Sequence, residues 1–252
     1  MPSGADPIGA SNPRIQRLRR LLGRRSARRD DGAYVIEGPT LVREALAAGV
    51  AVEAIFVDED VDAAGLPSGL VTLVRAGVLA KVGSTESPRP VLAVAAMTPS
   101  SLAEVAGAPF VLVAAAVADP GNLGTMLRSA EAAGALALVT TTGSVDPWNP
   151  KCVRASAGAL FHVRVVPDVA PAALRDLGVP LVGTAATGGR VYTEPGALAA
   201  PLALVLGSEA HGVPEDVPID RVVSIPHAGR AESLNVAMAA TVLAFEAARQ
   251  RA

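Results

Sequence analysis

Apolar residues along this chain come in short unbroken runs, separated by stretches whose hydrophobic positions recur every three or four residues. That is the pattern of buried strands joined by amphipathic helices. Ile15, Leu18 and Leu22 fall on one side of residues 14–29, and Arg17, Arg20, Arg24 and Arg28 form a stripe on another, which predicts one helix. Strands are predicted at AYVIEG (33–38), EAIFVD (53–58), LVTLV (70–74) and VLAVAAM (91–97), with helices over 39–48 and 75–81. Pro39 suits the first turn of its helix. TPSSLAEVAGAP (98–109) reads as a link carrying a short helix. The second half is more regular. FVLVAAAVA (110–118), ALALVTT (135–141), residues 162–166, PLVGTAA (180–186), LALVLGS (202–208) and VVSIP (222–226) predict strands. Helices are predicted over 122–133, 150–159, 170–177 and from Val236 onward. Such alternation implies a parallel sheet with helices on both faces. Ligands of that fold bind at the carboxyl ends of strands, so chemistry is expected in the loops after residues 118, 184, 206 and 225.

Composition narrows the picture. Half of the 252 residues are hydrophobic but only 3% are aromatic, so Ala, Val and Leu must fill the core. The longest apolar run, 110–118, falls far short of the roughly 20 residues a membrane helix needs. The opening text MPSGADPIGASNP lacks the basic and apolar regions of a secretion signal and reads as a disordered tail. Cys152 is the only cysteine, which excludes an intrachain disulfide and fits a reducing cytoplasm. A net charge of −2 decides nothing about nucleic acid, but its distribution is informative: eight arginines and no acid lie between Arg14 and Arg29. Such a run is either a solvated helix face or a surface for nucleic-acid phosphates.

Three stretches carry unusual residues. In DPGNLGTMLRSAEAAG (119–134), Asp119-Pro120-Gly121 makes a turn, Asn122 can cap a helix, and Arg128 lies about 9 Å farther along it. Gly121 and Gly124 give only G-x-x-G, neither a dinucleotide fingerprint nor a Walker loop. In LVLGSEAHGVPED (204–216) a strand ends at Gly207, and Glu209 and Gly212 flank His211. His162, His211, His227 and Cys152 show no metal-ligand spacing, so no metal is expected. RASAG (154–158) lacks the first glycine of a serine-hydrolase elbow. The third stretch, SIPHAGRAESLNVAMAA (224–240), sets a polar knot before an apolar terminal helix. Ser233 reads as the helix N-cap. Asn235 is a mediocre helix former that capping by Ser233 leaves unexplained.

Taken in order, N-x-G-x-x-x-R (122–128), L-G-S-E-x-x-G (206–212) and I-P-x-x-G-x-x-E-S-L-N-V (225–236) resemble the SpoU/TrmH family of RNA ribose 2′-O-methyltransferases, part of the SPOUT superfamily. KCVRASAGALFHV (151–163) also looks like that family's text, and the match runs over about 109–252. The N-terminal part, with VIEGPTLVREAL, resembles the substrate-binding domain such enzymes carry, a small fold similar to certain RNA-binding ribosomal proteins. The resemblance implies an α/β chain: a tail (1–12), an RNA substrate-binding domain (13–98), a linker (99–108) and a parallel-sheet methyltransferase domain with a deep trefoil knot (109–252). It implies S-adenosyl-L-methionine as cofactor, held by Thr184, Leu206, Gly207, Ile225 and Leu234, and a homodimer formed through the knotted domain. The family's catalytic and RNA-handling set falls on Asn122, Arg128, Glu209, Ser233 and Asn235. His227 stands where the family often has Met, and Ala210 where it often has Gly.

The implied reaction aims a ribose 2′-oxygen at a sulfonium methyl and needs no metal. Arg128 is the family's proposed proton acceptor, but a guanidinium stays protonated and has no acceptor atom. It is expected instead to grip phosphate and favour the developing alkoxide. Glu209 can pair with Arg128 or Arg230, and Arg17, Arg20, Arg24 and Arg28 are expected on RNA phosphates. Large-subunit rRNA is the first reading of the substrate and tRNA the second. A catalytically silent RNA-binding homologue and a Rossmann-type oxidoreductase are the readings from other classes; the second lacks its glycine fingerprint.

Overall fold

Three helices of this protein begin at the same two-residue text, an amide or carboxylate followed by proline. Asn12, Asp119 and Asn149 each accept a backbone N–H, from Arg14, Asn122 and Lys151, all at 2.9 Å. The proline that follows has no N–H to leave unsatisfied in the first turn. The computed structural model describes residues 6–84, 90–208, 211–230 and 233–251. By contacts the chain divides into two units: Met1–Met97 with Trp148–Phe161, and Thr98–Pro147 with His162–Ala252.

The first unit opens with α1 (Pro13–Gly23) and α2 (Arg25–Asp31), followed by β1 (Ala33–Glu37), α3 (Pro39–Ala47), β2 (Val52–Asp58), β3 (Val71–Val74) and β4 (Val91–Ala96). The expected single helix over 14–29 is therefore two. Glycine is a poor helix former, α1 ends at Gly23, and Arg24 is extended at φ −131° and ψ 124°. The sheet runs β1-β4-β2-β3, antiparallel on both sides of β4 and parallel between β2 and β3. Ile15, Leu18 and Leu21 of α1 are fully buried in one cluster with Val35, Phe56 and Leu92. The expected helix over 75–81 shrinks to a 3₁₀ turn at Leu79–Lys81.

The second unit holds β5 (Phe110–Ala114), α4 (Pro120–Ala132), β6 (Ala137–Thr141), β7 (Arg164–Val169), β8 (Leu181–Ala185), β9 (Arg190–Val191), β10 (Leu202–Leu206) and β11 (Arg221–Ser224). These strands form one parallel sheet in the order β7-β6-β5-β10-β8-β11-β9. The central strands FVLVA and LALVL are buried at every position, as strands covered on both faces must be. Residues 170–177 form a 3₁₀ helix, Pro171–Leu177, rather than an α-helix.

The connection from β6 to β7 carries α5 (Pro150–Ala155), and its residues 148–161 group with the first unit, against β1. Arg154 pairs with Glu37, whose side chain is 1% exposed, and the Ser84 N–H donates to the same carboxylate at 3.0 Å. Removing either charged partner would leave the other poorly compensated, at about 3–5 kcal/mol. The terminal helix, α6 (Val236–Arg251), packs on α4, where Ser129 Oγ and Thr241 Oγ1 lie 2.7 Å apart.

Candidate active site

Strands β10, β8 and β11 are neighbours, so their carboxyl ends open side by side. Thr184, Ala185 and Ala186 leave β8, Leu206, Gly207 and Ser208 leave β10, and Ile225 and His227 follow β11; all line one cavity. Ser233 and Leu234, with Val236, Ala239 and Leu243 of α6, close its remaining side. The five positions matched to the cofactor, Thr184, Leu206, Gly207, Ile225 and Leu234, thus share a single hollow, and Ser233 stands with them.

Gly207 has a geometric reason. The chain beyond it doubles back, with the Gly212 N–H donating to the Ser208 carbonyl at 2.9 Å and the His211 N–H to Ser208 Oγ at 3.3 Å. A Cβ on Gly207 would lie 1.9 Å from the Gly212 carbonyl oxygen. Only a residue without a side chain permits that turn. Glu209, expected in the catalytic set, and Ala210 lie outside the described residues.

The polar knot before α6 resolves differently from the sequence reading. Ser233 is not the cap, because the helix starts three residues beyond it, at Val236. Asn235 is. Its carbonyl accepts from Ala239 N at 3.0 Å, and its side-chain Oδ1 accepts from Ala237 N at 3.0 Å and Met238 N at 3.3 Å. Its Nδ2 donates to Asn122 Oδ1 at 3.0 Å, joining the first turn of α4 to the start of α6. Asn122, which the sequence also offered as a cap, is instead the residue whose N–H Asp119 caps. Arg128 lies farther along α4 with its side chain exposed and without a hydrogen-bond or ion-pair partner among the described residues.

The arginine run divides into two kinds. Arg17 is bound by Glu53 at 2.7 Å and Asp31 at 2.9 Å, and these hydrogen bonds raise its pKa above the ordinary value, Glu53 contributing most. Arg28 is 2% exposed and donates to the Leu21 carbonyl at 2.7 Å, satisfying a group left open by the end of α1. The break at Arg24 turned it inward, which the assumed continuous helix could not foretell. Arg20 and Arg24 are exposed, as is Arg19, which the stripe passed over; none has a side-chain partner among the described residues. Arg14 lies 5.1 Å over the Phe56 ring. Among the described residues no cluster of His, Cys, Asp or Glu could hold a metal, and no helix is long and apolar enough to cross a membrane.

A parallel α/β sheet with a hollow at three strand ends, walled by the start of a helix, defines a class: proteins that bind a ligand at the carboxyl edge of the sheet. Comparison with known proteins narrows it. Residues 109–245 match the SpoU rRNA methylase family and residues 12–93 the MRM3-like substrate binding domain. The chain belongs to the SpoU rRNA methylase family. It is 36% identical over 246 residues to the 23S rRNA (guanosine(2553)-2′-O)-methyltransferase RlmP of Bacillus subtilis, covering 94% of this chain and 96% of that protein. It is 31% identical to the 23S rRNA (uridine(2479)-2′-O)-methyltransferase of Streptomyces viridochromogenes, covering 97% and 92%. The crystal structure of the SpoU methyltransferase AviRb from Streptomyces viridochromogenes, in complex with AdoMet, superposes with a TM-score of 0.85 at 30% identity, over 95% of this chain and 98% of that one.

Proposed function

We propose that this protein transfers the methyl group of S-adenosyl-L-methionine to a ribose 2′-hydroxyl of 23S rRNA. The observation that carries the reading is the single hollow at the ends of β8, β10 and β11, lined by all five cofactor-matched residues and Ser233. Those residues fit the cofactor. Leu206, Ile225 and Leu234 offer apolar walls to an adenine ring, Thr184 and Ser208 offer hydroxyls, and the bare Gly207 keeps that wall free of a side chain. The cofactor supplies an electrophilic methyl on a sulfonium. The protein's residues supply position, which is worth several kcal/mol of barrier. Arg128 grips a phosphate and stabilises charge developing on the 2′-oxygen; it does not take the proton, since a guanidinium has no acceptor atom. Ser233 and Asn122 orient the hydroxyl and its neighbours, and Glu209 completes the proposed catalytic set.

Two relatives that match almost the whole chain are named for 23S rRNA, which supports rRNA over tRNA. The first unit takes the RNA, in keeping with its match to a substrate-binding domain. Arg20 and Arg24, with Arg19, meet phosphates, while Arg17 and Arg28 hold the unit together. The reading includes a trefoil knot in the second unit and a cytoplasmic setting. It also includes a homodimer through α6, where Met238, Val242 and Phe245 stand 63%, 38% and 50% exposed at successive turns of one face. The test is to map 2′-O-methyl sites in 23S rRNA and tRNA from cells with and without the protein. One rRNA site that disappears is expected; loss confined to tRNA, or no loss in either RNA, overturns the assignment.

A further inference from the structure

The carboxamide of Asn235 is fixed from both ends. Its Oδ1 accepts the N–H groups of Ala237 and Met238, which are donors only and belong to the first turn of α6, where no earlier helical carbonyl can take them. Flipping the amide would point an NH2 group at two N–H groups. Only Nδ2 is then left for the other side, and it donates to Asn122 Oδ1 at 3.0 Å. Asn122 must answer a donor with its oxygen, which turns its own Nδ2 away from α6. The helices do not depend on this bond for their contact, because the Ser129–Thr241 link at 2.7 Å joins them farther along.

We propose that Asn235 is a positioning residue that acts through Asn122. By capping α6 with its oxygen it sets the donor–acceptor polarity of the Asn122 carboxamide, and so which of that group's two faces is directed away from α6. An N–H donor on that face suits the anionic groups of the reaction, a phosphate and a developing alkoxide. The inference rests on the methyltransferase reading and assigns Asn235 no contact with the substrate.

Asn235→Asp keeps the capping oxygen, since Asp caps as well as Asn, but faces Asn122 with an acceptor and inverts its amide. Methyl transfer to rRNA is expected to lose about tenfold to a hundredfold in kcat, as for a single donor in a polar site. The melting temperature and the S-adenosylmethionine Kd should hold. Asn235→Ser, which caps but cannot reach Asn122, should lose kcat as well and guards against an effect of the new charge. The double variant Asn122→Ala/Asn235→Asp should lose no more than Asn122→Ala alone, the mark of residues acting as a unit. Wild-type kcat in both single variants, or losses that multiply, overturns the proposal. A second readout stands apart from turnover. The side-chain amide proton signals of Asn122, identified by their loss in Asn122→Ala, should shift and exchange more slowly in Asn235→Asp. If they do not move, the relay is wrong even if the protein methylates rRNA; if they move while the wild type transfers no methyl, the functional reading is what fails.

Discussion

A guanidinium makes a poor base for a simple reason: it carries five donors and no lone pair to offer. Arg128 sits exposed on α4, with no described carboxylate or carbonyl bound to it. A phosphate contact with electrostatic support of the alkoxide follows from that setting, and it makes a distinguishable prediction. Arg128→Ala should lower kcat by about a hundredfold to a thousandfold, as removing one donor aimed at a developing oxyanion does. Arg128→Lys should restore part of it with an unchanged pH profile, because an ammonium also binds phosphate as a point charge. Turnover across pH 6–10 is the measurement. A lysine variant that recovers activity only with a shifted optimum would make position 128 the proton acceptor and overturn the electrostatic role.

At the scale of elements, the arginine-rich opening shows how a one-residue break redistributes function. A stripe at every third or fourth residue presumes a continuous helix; ending α1 at Gly23 turns Arg28 into the fold and leaves Arg19, Arg20 and Arg24 facing out. Arg20→Ala and Arg24→Ala should each weaken RNA binding and lower the slope of log K against log salt by about one, with the melting temperature unchanged. Arg28→Ala should lower the melting temperature and leave the slope alone. Filter binding at several salt concentrations separates the two sets, and equal slopes for all variants would remove this surface from the RNA interface. The same contrast explains what the sequence disclosed. The four strands of the first sheet are legible because their apolar runs are bounded by turns, and so are six of the seven in the second. Strand β9 is two residues, Arg190–Val191, and has no pattern to read. The 3₁₀ segments at 79–81 and 171–177 pass for α-helices because periods of 3 and 3.6 barely diverge over one or two turns. In the site, Thr184, Leu206, Gly207, Ile225 and Leu234 could be proposed from text, but the Asn122–Asn235 bond joins residues 113 apart and leaves no local signature. The cap was missed because Ser233 satisfied the usual rule two residues early.

At the scale of the whole molecule, α6 poses a problem of solvent. Its buried face, Ala237, Ala240, Leu243, Ala244 and Ala247, is apolar, yet Met238, Val242 and Phe245 are apolar too and lie in water. A surface helix normally turns charge outward. Clustered exposed hydrophobics on one stripe mark a contact surface, and the i, i+4, i+7 spacing gives a ridge suited to packing against its own copy about a two-fold axis. The stripe begins beside Leu234, itself 36% exposed and lining the cavity, so whatever covers α6 also lies beside the proposed cofactor site. Met238→Asp and Phe245→Asp, singly and together, should convert the proposed dimer into a monomer, each weakening association by about thirtyfold or more if it removes a buried interface anchor. Light scattering coupled to size-exclusion chromatography reads the mass directly. The double variant should keep its melting cooperativity, because these side chains lie outside the core that α6 shares with its own sheet, and it should bind S-adenosylmethionine more weakly as the Leu234 wall loosens. A wild-type protein that is monomeric at micromolar concentration, or a double variant that remains dimeric, would assign this face to another partner.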